Sequence, residues 1–381
     1  MIYLDNSATT KPDQSVLDSF IKINAEFWAN PSSMHKFGGE AEALVERART
    51  QAANILDVNL SEIIFTSGGT ESNNIAIKGI AKQYVNRGNH IITSLIEHPS
   101  VREPFEQLAK SGFRVTFLPV DKDGRISIAD LKNAMTDQTI LVSIMHVNNE
   151  IGTIQPIEEI GAVVHKYPKC FFHVDGIQGF GKVPLDLKRA HIDLYSLSAH
   201  KFYGLKGTGL LFVRDGIKLA SLMAGGNQER KMRSGTVNVA GAVSISKAMR
   251  VSMEKFEKYA EKMKKMHTFL YSELSKIKGV EMNSPLLNCA PHIVNFSIPE
   301  LNNEVFARTL EEKHIYVSTT SACSSKTRTV SNVVSQLGKG DKIAGSTVRL
   351  SLCYETTQVE LETTLKVIVE SIQKLNKVKK K

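Results

Sequence analysis

From about residue 60 to 215 the chain alternates short apolar runs with longer stretches of helical spacing. The runs "EIIFTS", "HIITS", "RVTFLPV", "ILVSIMHV", "CFFHVD", "LYSLS" and "GLLFV" are mostly continuous rather than alternating, which predicts strands buried on both faces. Between several of them lie segments such as "ESNNIAIKGIAKQYVN" and "SVREPFEQLAKSG", which read as helices. This order predicts a largely parallel, doubly wound α/β sheet. After about residue 245 the pattern changes. A long charged helix over about 247–278 leads into the shorter strands "HIVNFSI" and "TVRLSL" and a final helix from about 357, which together predict a smaller α+β domain. We place the large domain at 15–250 and the small one at 1–14 and 251–381. Neither an internal repeat nor a Pro/Gly-rich linker interrupts the chain.

Composition narrows the class of protein. With 381 residues, 42% hydrophobic and 23% charged, the chain can bury a sizeable core. It has no run of ~18 apolar residues, and "MIYLDNSATT" reads as a strand and polar turn rather than a signal peptide. The expectation is a cytoplasmic protein without membrane attachment. Cys170, Cys289, Cys323 and Cys353 lie far apart without a CxxC pair, so neither a metal site nor a disulfide framework is expected. The net charge of +9 invites a nucleic-acid reading. Much of the excess, however, sits in "KLNKVKKK" and "EKFEKYAEKMKKMH", where lysines alternate with glutamates along a helix; solvated helices explain it better than sequence-specific nucleic-acid binding.

Ligands of doubly wound sheets bind beyond the carboxyl ends of the strands, so the polar residues found there matter most. In "FTSGGTESNN" a strand runs into Ser67, Gly68, Gly69 and Thr70 before a helix begins. This suits either a phosphate cradle at a helix N-terminus or an ordinary glycine turn with a capping hydroxyl. In "CFFHVDGIQ", Asp175 ends an apolar strand, as a helix cap or as the partner of a cation, with Gln178 within reach. In "DLYSLSAHKFYG", Ser198 and His200 flank the approach to Lys201, which is either a Schiff-base nucleophile or a solvated surface group. Asn148 and Asn149 follow another strand, and His98 a fifth. A phosphate cradle, a carboxylate, a lysine, a histidine and amides at successive strand ends are the set that pyridoxal phosphate needs: an amine for its aldehyde, an acid for its ring nitrogen and a helix terminus for its phosphate.

The motifs "YLDNSATT", "NPSSMHKFGGEA", "FTSGGTESNN", "EHPS", "HVNNEIGTIQP", "HVDGIQ", "SLSAHKFYGLKG", "MRSGT", "SACSS" and "VRLSL" occur in this order and resemble those of the cysteine desulfurases. These are class V aminotransferase-like enzymes of pyridoxal-phosphate fold type I, and the resemblance runs from residue 3 to about 352. It implies a large domain with a mainly parallel sheet between helices, plus the smaller α+β domain. It further implies that Lys201 holds the cofactor, with Asp175 at the ring nitrogen, Gln178 at the ring hydroxyl oxygen, and Gly69, Thr70, Ser198 and His200 around the phosphate. Thr236 of "MRSGT" would come from the second subunit of a homodimer. His98 would stack on the ring and move protons, while Asn149 and Arg349 would hold the substrate carboxylate.

The implied reaction converts L-cysteine to L-alanine and leaves the sulfur as a persulfide on Cys323, in the small polar run "VSTTSACSSKTRT". The sulfur would then pass to an acceptor protein, an iron–sulfur scaffold or a tRNA-thiolation enzyme. The chain departs from the family pattern at Thr320, where glycine is usual, and at Cys353, which reads as a small packing residue. The rival readings are a selenocysteine lyase or another class V enzyme, neither of which needs Cys323, and a basic nucleic-acid-binding scaffold without turnover.

Overall fold

The computed structural model describes residues 1–319 and 330–379; Thr320 and Cys323 lie outside the described residues. Among the described residues thirteen strands are numbered in chain order. They are β1 (Ile2–Tyr3), β2 (Ile63–Thr66), β3 (His90–Ser94), β4 (Arg114–Leu118), β5 (Thr139–Met145), β6 (Phe171–Asp175), β7 (Leu194–Ser198), β8 (Gly209–Val213), β9 (Glu281–Met282), β10 (Ile293–Ser297), β11 (Ile315–Tyr316), β12 (Ser318–Thr319) and β13 (Thr347–Ser351). The first seven helices are α1 (Gln14–Glu26), α2 (Lys36–Leu56), α3 (Gly69–Gln83), α4 (Pro99–Lys110), α5 (Ile128–Ala134), α6 (Ile157–Val164) and α7 (Val239–Ser275).

Strands β2 to β8 form one sheet in the order β2-β8-β7-β6-β5-β3-β4. All neighbouring pairs from β4 to β7 are parallel; β8 runs antiparallel to both β7 and β2. The pleat explains why these strands read as continuous apolar runs. Leu210 and Phe212 point into one core with α1, α2, α6 and α7, and Leu211 and Val213 into the other with α3 and α4. Helices thus cover both faces, and the carboxyl ends of the parallel strands open on one side. Each fully buried Ile or Leu here is worth roughly 1.5–3 kcal/mol of transfer free energy.

The smaller sheet has the order β12-β13-β10-β9, and its core joins Val294, Phe296, Val348 and Leu350 to Leu4 and to Met266, Leu270 and Leu274 of α7. The N-terminus belongs to this core as well: β1 pairs with β11, and Asp5 bridges to Ser351. Helix α7 begins at Val239, eight residues before the expected start, because Asn238 caps it by accepting the Gly241 N–H. Its first part packs in the large core and its last part in the small one, so a single helix ties the two together. Among the described residues no helix is long and apolar enough to cross a membrane.

Strand β2 is a sheet edge, and a buried ion pair covers it. The Arg49 guanidinium on α2 donates to the Ile63 carbonyl and grips Glu229 at 2.9 and 3.0 Å, while Glu229 accepts the Phe65 N–H. Glu229, Arg230 and Lys231 all have positive φ, a conformation that non-glycine residues hold only under constraint. The pair therefore closes the edge and holds the turn that leads to Thr236. Glu229→Ala leaves a buried guanidinium without its carboxylate and is expected to cost about 3–5 kcal/mol, read as a lower urea midpoint with an unchanged m-value.

Candidate active site

The strand-end residues converge beyond the carboxyl ends of the central strands β6 and β7. Strand β7 ends at Ser198, and the short turn Ala199–Lys201 that follows brings the Lys201 amine back over the N-terminal segment. Its Nζ donates to the carbonyls of Ser7 at 2.7 Å and Ala8 at 2.8 Å. Behind it the buried Lys182 Nζ donates to the Lys201 carbonyl at 2.7 Å. Gln178 Nε2 reaches the same Ser7 carbonyl at 3.0 Å, so Gln178 and Lys201 meet at one acceptor.

Asp175, at the end of β6, is buried. Its Oδ1 accepts the Ile177 N–H and its Oδ2 an N–H of Asn73 at 2.8 Å. Burial pushes this carboxyl above its ordinary range, opposed by those two hydrogen bonds and by the charge of Lys201. A cation placed against it would favour the carboxylate.

Between β2 and α3 the backbone comes close to Ser198. Gly68 has φ +155° and caps α3 without a side-chain hydrogen bond, which leaves the first N–H groups of the helix open to a ligand. A Cβ at Gly69 would stand 2.1 Å from Ile177 Cδ1 and 3.4 Å from Ser198 Cβ, so a side chain there would have to push the Ile177 tip aside. Thr70 is exposed at the helix start. Thr236 is exposed too, and lines a cleft with Ser67, Gly207 and Gly209.

A second group faces the small sheet. His98, Glu97, Asn149, Glu150 and Arg349 line a cavity of about 280 Å³. Arg349 on β13 donates to the Asn149 carbonyl at 2.7 Å and pairs with Asp5 at 2.9 Å, while its buried Nε has no partner among the described residues. Thr319 and Val330, the described residues on either side of the stretch holding Cys323, line the same cavity. The other three cysteines are reduced; Cys353 packs beside Tyr203, Met263 and Tyr354.

The site is also marked by polar atoms without partners. Gln178 Oε1, His200 Nδ1, Asn73 Oδ1 and Ser7 Oγ are buried and unsatisfied among the described residues. Unsatisfied buried groups are costly, and their concentration around Lys201 and Asp175 fits a polar ligand there. Asn73 and Ser100, which hydrogen-bond to each other within this group, have no equivalent in the sequence-based expectation. In "ESNN" and "EHPS" they look like ordinary helix-start polar residues, and only their placement between Asp175 and His98 sets them apart.

Burial also governs acid stability. His90, His98, His146 and His200 are pushed down to about 4 and His173 to about 3, with desolvation as the main cause. An unfolded histidine binds its proton near about 6.5, so between pH 6.5 and 4 the unfolded chain holds more protons and stability falls on acidification. Glu97 acts in the opposite sense. Burial raises it to about 8, so its contribution falls as the pH rises from about 4.5 to 8. Burial also lowers His191, His267 and His292 and raises Glu150, Asp175 and Asp193; with eight histidines against four carboxyls, the urea midpoint is expected to drop from pH 7 to pH 5. Glu97→Gln is expected to raise the midpoint at pH 8 relative to the unsubstituted protein.

The profile of the family described as "Aminotransferase class-V" matches residues 2–363. A "NifS/IcsS protein homolog" of Lactobacillus delbrueckii subsp. bulgaricus is 44% identical over 99% of this chain and 99% of its own. A "Cysteine desulfurase IscS" of Dictyoglomus turgidum is 41% identical over 99% of this chain and 96% of its own. Among solved structures, a "NifS-like protein" superposes with a TM-score of 0.92 at 38% identity, covering 98% of this chain and 99% of that one.

Proposed function

The chain belongs to the aminotransferase class-V family, and on that premise we propose that it is a cysteine desulfurase that converts L-cysteine to L-alanine and carries the sulfur on Cys323. The observation that carries this reading is the meeting of Lys201, Gln178 and Asp175 among unsatisfied buried polar atoms, next to a cavity lined by His98, Asn149 and Arg349. Those residues fit pyridoxal phosphate. Lys201 would hold it through its amine, Asp175 at the ring nitrogen and Gln178 at the ring hydroxyl oxygen. Gly69, Thr70, Ser198 and His200 would hold the phosphate, completed by Thr236 from a second copy of the chain. When bound, the cofactor supplies an aldehyde and a cationic ring that stabilises negative charge at the substrate Cα.

The chain's own groups do the rest. Arg349, with its unpartnered Nε, and Asn149 take the substrate carboxylate. The Lys201 amine accepts and returns the Cα proton, and His98 stands at the cavity wall as a second proton-bearing group. The Cys323 thiolate attacks the substrate sulfur. The S–S bond forms as the C–S bond breaks, and the electron pair of that bond passes to the carbon skeleton, which takes up a proton to leave L-alanine. No external oxidant or reductant is required. The persulfide then passes to an acceptor protein, an iron–sulfur scaffold or a tRNA-thiolation enzyme.

Incubation of the purified protein with pyridoxal phosphate, L-cysteine and a thiol reductant tests this. Equal amounts of alanine and sulfide are expected. No alanine, or alanine without sulfide, would overturn the reading.

A further inference from the structure

His98 stands at the N-cap of α4, and its ring folds back onto the first turn of that helix. Nδ1 accepts the Ser100 backbone N–H at 3.1 Å. A ring nitrogen that accepts an N–H carries no proton of its own, so the Ser100 hydroxyl, 2.8 Å from the same atom, donates to it. That hydroxyl accepts one N–H of Asn73 at 2.9 Å, and the Asn73 amide also donates to Asp175 Oδ2 at 2.8 Å. Asn73 and Ser100 are both buried. The direction of every bond from Asp175 to His98 follows: the amide gives to the carboxylate and to the hydroxyl, and the hydroxyl gives to the ring.

We propose that Asn73 and Ser100 are positioning residues that hold His98 as the neutral ring with its single proton on Nε2, so that it serves the site as a donor and accepts no proton. A second proton on Nδ1 would point at the Ser100 N–H and lose that bond, and the Ser100 hydroxyl would have to turn round and accept. General-base action at Nε2 would need the opposite tautomer, in which an Nδ1 proton would face the fixed Ser100 N–H. The role of proton acceptor therefore falls to the Lys201 amine. The charged groups around His98 are Lys201 from the end of β7, Arg102 on α4, Glu97 beside it, and Glu150 and Arg349 across the cavity. Burial and the charge of Lys201 keep the ring uncharged over the neutral range, in accord with the geometry. The role assigned to His98 rests on the proposed desulfurase reading; its tautomer does not.

The test is nitrogen NMR of the cofactor-loaded protein carrying ¹⁵N-histidine, with the His98 signals identified by their loss in His98→Gln. The expected result is one protonated nitrogen, Nε2, and one bare nitrogen, Nδ1, unchanged from pH 6 to pH 9. A proton on Nδ1, or a ring that gains a second proton within that range, would overturn the proposal. In Ser100→Ala the Nδ1 resonance is expected to move as it loses one donor, and kcat to fall about three- to tenfold, the worth of one hydrogen bond, with KM within twofold. An unmoved Nδ1 resonance in that variant would refute the role of Ser100. If Ser100→Ala does not fold, the tautomer of the unsubstituted protein decides the matter alone. The spectrum needs no turnover, so a chain inactive on L-cysteine would fail the functional reading while the tautomer assignment was judged separately.

Discussion

Lys201→Ala is expected to lower alanine formation from L-cysteine by about 10⁴-fold or more, the scale of losing both a covalent anchor and a proton-transfer group. The structure makes this a demanding test because the amine is so definitely placed. It donates to the Ser7 and Ala8 carbonyls, and its own carbonyl accepts from Lys182. Few other lysines could substitute for it: Lys182, the buried neighbour, has its Nζ committed to the backbone behind the site. The variant should keep its far-UV circular dichroism yet lack the visible absorption that the unsubstituted protein acquires with pyridoxal phosphate. Turnover within tenfold of the original would place the reacting amine elsewhere.

Cys323→Ala is expected to separate cofactor chemistry from sulfur transfer. Sulfide and alanine formation should fall by about 10³-fold, while the absorption due to the cofactor is retained, because Lys201, Asp175 and Gln178 are untouched. Cys353→Ala is the matched control. That thiol packs among Tyr203, Met263 and Tyr354, and burial raises it, which disfavours the thiolate, so its removal should change the rate less than threefold. Full activity in Cys323→Ala would favour the rival class V reading, in which no cysteine of this stretch takes part.

Much of the fold can be read from apolar runs because doubly buried strands leave so little else in their sequence. "HIITS", "LYSLS" and "GLLFV" correspond to β3, β7 and β8 residue for residue. Strand direction is another matter. Nothing in the composition of "GLLFV" distinguishes an antiparallel strand from its parallel neighbours; its reversal follows from the short connection after Lys201, which leaves no room for a crossover helix. At the site, residues that end strands stood out because a charge after an apolar run is costly. Asn73 and Ser100 did not stand out. An amide and a hydroxyl near a helix start are common, and their meaning depends on partners 102 and 27 residues away in the chain. The family resemblance assigned Arg349 to the substrate carboxylate, whereas its pairing with Asp5 arises only because the N-terminus joins the small sheet.

That joining has a consequence for how the protein is made. The carbonyls that receive the Lys201 amine belong to Ser7 and Ala8, and the segment bearing them is tied down by β11 and by Ser351. A nascent chain on the ribosome therefore completes its large sheet long before the Lys201 amine has a seat. Bringing the N-terminus to a partner some 300 residues away costs roughly 5 kcal/mol of chain entropy by length alone, and it cannot begin until the last quarter of the message has been read. Large domains fold as they emerge, whereas this site assembles only after the chain is nearly complete. Assembly of the proposed site thus waits on translation itself, and an abandoned fragment ending before β11 would have the sheet without a fixed seat for that amine.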